Sequence, residues 1–105
     1  MKRKASISHD ESIVAELRRD PEFAVEYLKA ALDDSDEPQV LLIALRRLAE
    51  ARGGIAKIAK AAGIERESLY RALSARGNPR LSTLTAVMKA VGLKLTVETA
   101  QSGSR

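Results

Sequence analysis

Hydrophobic positions fall three and four residues apart in successive blocks, the spacing that gathers side chains on one face of a helix. Residues 1–9 lack this period and read as a flexible N-terminus. Ile13, Val14 and Leu17 mark a short helix from about Asp10 to Arg18. Asp20-Pro21-Glu22 is a strong helix start: Asp20 can cap, Pro21 suits the first helical position, and Glu22 complements the helix dipole. Phe23, Tyr27, Leu28, Ala31 and Leu32 form the apolar face of the helix that follows, which the polar run 33–36 breaks. Asp36 and Gln39 are spaced as a capping box, with Pro38 tolerated in the first turn. They open a long amphipathic helix that carries Leu41, Leu42, Leu45, Leu48 and Ala49 to about Arg52, where Gly53-Gly54 stops it.

From Ile55 to Ser74 the pattern predicts two short helices around Gly63, and Arg76-Gly77-Asn78-Pro79 is a loop by its turn chemistry. Ser82 can cap a helix over 83–91, with Leu84, Val87, Met88 and Val91 facing inward and Gly92 as its stop. Leu93 to Glu98 alternates apolar and polar residues, the mark of a one-sided strand. A lone strand leaves its edges unsatisfied, so this one is expected to pair with a second copy of the chain or with a partner. The expected organisation is a flexible N-terminus (1–9), a helical extension (10–36), a helical domain (37–92), a strand (93–98) and a flexible tail (99–105).

The segment 55–73 meets the demands of a helix-turn-helix. Ala59 stands where the two helices touch and only a small side chain fits, and Gly63 takes the tight turn, where positive φ strains other residues. Ile58, Ala62, Ile64, Leu69 and Ala72 complete the shared core. Ala-rich helical hairpins imitate the bare pattern, but here a long helix precedes it and another helix follows. In such a motif the second helix lies in the major groove of double-stranded DNA. Its outward residues would be Arg66, Glu67, Tyr70, Arg71 and Ser74, with Ser68 near the edge. An arginine fork matches guanine O6 and N7, and Glu67 can accept from cytosine N4. Lys57 and Lys60 share a face of the first helix; Lys57 suits phosphate contacts, as do Asn78 and Arg80 in the loop, whereas Lys60 reads as solvated. The bland alternative makes Arg66, Glu67 and Arg71 a solvated face with an i, i+4 ion pair, and makes Tyr70 a cover for the core edge.

Charge strengthens the DNA reading. The net charge of +4 hides a division: residues 1–37 hold six basic and ten acidic side chains, and residues 38–105 hold twelve basic and four acidic. A basic half seeks an anionic partner, of which nucleic acid is the usual one. The composition also limits the alternatives. There is no cysteine, and the lone His9 lies in a polar stretch, so no metal site and no cofactor are expected. An enzyme is disfavoured too: the chain shows no glycine-rich phosphate loop and no paired acid in a plausible cleft, and Ser68 and Ser74 have no neighbouring base. No apolar run approaches the ~20 residues that span a bilayer, and no hydrophobic segment follows the basic start as in a signal peptide, so a cytoplasmic protein without a membrane role is expected.

The sequence resembles the addiction-module antidote proteins with a lambda-repressor-like (Xre/HigA-type) helix-turn-helix. The resemblance runs through Glu26-Tyr27-Leu28-Lys29-Ala30-Ala31-Leu32, Ala44-Leu45-Arg46, Ala51-Arg52-Gly53-Gly54, Ala59-Lys60-Ala61-Ala62-Gly63-Ile64, Arg66 to Leu73, Gly77-Asn78-Pro79, Thr83-Leu84 and Gly92-Leu93-Lys94-Leu95. It covers about residues 20 to 98, and Asp36-Glu37-Pro38-Gln39 departs from the Asp-Pro-Glu usual in the family. The fold it implies is all-α: a lambda-repressor-like helix-turn-helix bundle with an N-terminal helical extension and a short C-terminal β-strand. The function it implies is an antitoxin that neutralises a RelE/ParE-like toxin and represses their shared operon. The competing reading is a stand-alone phage-type repressor with no toxin. Either would act as a homodimer, for which Leu93, Leu95 and Val97 are the expected contact.

Overall fold

The computed structural model describes residues 8–33 and 36–100. The described residues contain six helices: α1 (His9–Arg19), α2 (Pro21–Asp33), α3 (Pro38–Ala51), α4 (Ile55–Ala62), α5 (Arg66–Ala72) and α6 (Leu81–Ala90). Ser8 begins α1 through a reciprocal cap, its hydroxyl accepting from the Glu11 N–H at 3.0 Å while its own N–H donates to the Glu11 carboxylate at 3.1 Å. Ser8 and His9, expected within a flexible N-terminus over 1–9, instead cap and open α1, and residues 1–7 lie outside the described residues. Two polar residues make that cap, so apolar periodicity does not register it. Asp20 separates α1 from α2 and accepts from the N–H groups of Glu22 (3.1 Å) and Phe23 (3.2 Å), as its position before Pro21 predicts.

Two expected caps do not form. Pro38 is the first residue of α3 and Glu37 flanks it without a side-chain cap. With the ring fixing φ at that position, Asp36 is left one residue too far out to reach. α6 starts at Leu81 behind Arg80, and Ser82 lies inside the helix, its carbonyl accepting from the Thr85 hydroxyl at 3.1 Å. There the Arg80 carbonyl, which accepts from the Leu84 N–H at 3.0 Å, sets the first turn.

One buried cluster joins all six helices, from Leu17 of α1 and Ala24, Leu28 and Ala31 of α2, through Leu45 and Leu48 of α3 and Ile58 and Ala59 of α4, to Leu69 of α5 and Val87 of α6. On α2 Ala24 is buried along with Leu28 and Ala31, whereas Leu32, expected on the same apolar face, is exposed. α1 and α2 both pack on α3. Arg47 ties these three helices together: its guanidinium donates to Asp10 at 2.5 Å and to the Tyr27 hydroxyl at 2.8 Å. The Tyr27 hydrogen bond is the main force raising the Arg47 pKa, with burial opposing it and Asp10 adding to it. Arg52, the residue that follows α3, donates to the Leu17 carbonyl at 3.1 Å and ties the end of α3 to α1.

Among the described residues there is no strand, and residues 93–98 have no ladder partner in the single chain. Leu93 packs against the core and its N–H closes the end of α6 on the Met88 carbonyl at 2.8 Å. Leu95 shares a groove with Met88 and with Val25, Leu28 and Leu32 of α2. Val97 is 94% exposed, so of the three alternating apolar residues only Leu93 and Leu95 meet the rest of the chain.

Candidate nucleic-acid interface

Local sequence fixes the relation of α4 to α5. Gly63 has φ 72° at the end of α4, a conformation that costs a residue with a Cβ about 1–2 kcal/mol. The turn is closed by the Ile64 N–H on the Ala59 carbonyl at 2.9 Å and the Gly63 N–H on the Lys60 carbonyl at 3.2 Å. Ala59 is buried at the junction, and Leu69 and the adjoining Leu73 anchor α5 from beneath with no exposed surface.

Anchored by those leucines, α5 presents Arg66, Glu67, Tyr70 and Arg71 together around a shallow exposed depression. Glu67 and Arg71 form no ion pair, so the anion and the cations of this face keep their hydrogen-bonding capacity. Ser68 and Ser74 are half-buried and partnered within the chain. The Ser68 hydroxyl donates to Glu65 at 3.3 Å, and the Ser74 hydroxyl donates to the Arg71 carbonyl at 2.8 Å. Ser74 closes the helix end and leaves only lone-pair capacity toward a ligand.

Lys57, Asn78 and Arg80 are exposed and lie outside that depression. The Lys57 stem folds over Gly53, where an added Cβ would meet it. Asn78 and Arg80 follow Gly77, whose backbone passes so near α5 that a Cβ would collide with the Ala72 carbonyl oxygen. A glycine is thus what lets the loop lie against α5. One residue of the face escaped sequence reasoning. Arg46 of α3 stacks on Tyr70, its guanidinium carbon 4.5 Å from the ring centroid, and donates to the Tyr70 hydroxyl at 2.6 Å. The two are 24 positions apart, so no local spacing signals the pairing.

No helix among the described residues is long and apolar enough to cross a membrane. No solved structure matches the chain. An uncharacterized protein of Haemophilus influenzae (strain Rd) is 44% identical over 72 residues, which make up 69% of this chain and 72% of that protein. The family model described as probable addiction module antidote protein matches residues 9–99, nearly the whole of the described chain. On that match the chain belongs to the family of probable addiction module antidote proteins.

Proposed function

We propose that the protein is a sequence-specific DNA-binding antitoxin of a toxin–antitoxin module, with α4 and α5 acting as a helix-turn-helix. Membership of an antidote family implies a toxin partner, and that weighs against a stand-alone repressor. In this reading residues 37–92 are the DNA-binding domain and α5 enters the major groove. Arg66 and Arg71 read guanine edges, Glu67 accepts from cytosine, and Tyr70, Ser68 and Ser74 line the contact. Lys57, Asn78 and Arg80 hold phosphates on either side. The observation that carries the reading is the exposed set Arg66, Glu67, Tyr70 and Arg71, gathered on one helix that buried leucines hold rigid.

The finer proposal is a RelE/ParE-like toxin, repression of the shared operon, and action in the cytoplasm as a homodimer joined through Leu93, Leu95 and Val97. Titration of a labelled duplex from upstream of the gene tests the DNA reading. Retardation that the same unlabelled duplex removes and a random duplex does not is expected. Equal competition by both would overturn specific recognition. Co-expression with the neighbouring gene tests the toxin: a complex that survives purification is expected, and its absence would return the protein to the class of plain repressors.

A further inference from the structure

Arg46 has carboxylates within its surroundings and does not use them. Glu11 and Glu50 line the same surface depression as Arg46, yet neither makes an ion pair with it. The guanidinium turns instead to the face of α5, where it stacks on the Tyr70 ring and donates to the phenol oxygen at 2.6 Å. Both partners reach solvent: Tyr70 is 48% exposed and lines the depression with Arg66, Glu67 and Arg71, and Arg46 meets it from the neighbouring depression.

A phenol oxygen both accepts and donates. We propose that Arg46 is a positioning residue that holds the Tyr70 oxygen as an acceptor and thereby leaves the phenol hydrogen to be donated to an acceptor on DNA. The ring is fixed between α3 and α5 rather than rotating freely on α5. The cation draws electron density from the oxygen, which makes the remaining O–H a stronger donor. Acceptors of the required kind are guanine O6 and N7, adenine N7 and thymine O4 in the major groove, and the phosphate oxygens beside them. This rests on the proposed DNA-binding function and assigns within it a role to a residue outside the helix-turn-helix.

The test is a double-substitution cycle on the duplex that the wild-type protein selects from a randomised pool. Tyr70→Phe, Arg46→Ala and the double variant are compared with wild type for affinity, base preference and melting temperature. Tyr70→Phe and Arg46→Ala are each expected to weaken binding about tenfold, as for the loss of one hydrogen bond. The double variant should lose no more than either alone, with melting temperatures unmoved, and Arg46→Lys, which keeps an N–H donor, should recover most of the affinity. A base acceptor would show as relaxed preference at one position, and a phosphate acceptor as a uniform loss across sequences; both fit the proposal. Losses that multiply in the double variant, or an Arg46→Ala protein that binds as wild type does, would overturn it and leave DNA binding standing. A wild-type protein that selects no duplex would overturn both.

Discussion

Ala59 and Gly63 decide how closely α4 and α5 lie, because one is buried where they meet and the other turns the chain with positive φ. Ala59→Leu should overpack the junction and lower stability by about 1–3 kcal/mol in urea unfolding. Both residues are legible in the sequence, since steric limits at a tight turn leave few residue types to choose from. Arg71 is exposed on α5 and presents a planar fork. Arg71→Ala should cost about 1–3 kcal/mol of DNA binding and relax preference at one base pair, without moving the melting temperature. Unchanged affinity and preference on a selected duplex would remove Arg71 from the groove. Arg46 was beyond reach, because stacking on Tyr70 depends on how α3 packs and leaves no trace in local spacing.

At the scale of elements, α1 and α2 are bound into the molecule rather than appended to it. They pack on α3, and Leu17, Ala24, Leu28 and Ala31 belong to the common core. A chain beginning at Pro38 should therefore lose cooperative thermal unfolding by circular dichroism, since the face of α3 they cover would open to water. Cooperative melting of that fragment would show the extension to be dispensable. A basic toxin would find complementary charge on the acidic extension, and point changes there test such a contact. Glu26 is exposed in the middle of α2, and Glu26→Lys should weaken capture of a basic partner while leaving the melt intact. Helix existence was readable from apolar period, and the start of α2 from Asp20-Pro21. The starts of α3 and α6 were misplaced because proline geometry and a backbone carbonyl set them, whereas sequence signals favour side-chain caps.

At the scale of the whole molecule, if α5 reads DNA as proposed, one copy covers one half-site, and useful affinity calls for a second, supplied most simply by a two-fold copy. The C-terminal segment has what such a contact needs: no ladder partner among the described residues, Val97 in solvent, and Leu95 partly exposed beside Met88. Sedimentation at micromolar concentration should give a dimer mass that Leu95→Lys reduces to a monomer. A monomer mass for the unaltered protein would leave pairing to DNA or toxin. The ties made by Arg47 and Arg52 bear on the same assembly in another way. Two cations of the basic half are held by Asp10, Tyr27 and the Leu17 carbonyl, so they are not free to replace counterions along a duplex. Each phosphate neutralised steepens the fall of log affinity with log salt by about 0.9. Neutralising Lys57 or Arg80 should flatten that line by about one contact per protomer. Neutralising Arg47 or Arg52 should lower the melting temperature and leave the slope alone, so the count of ions released will fall below the count of basic residues.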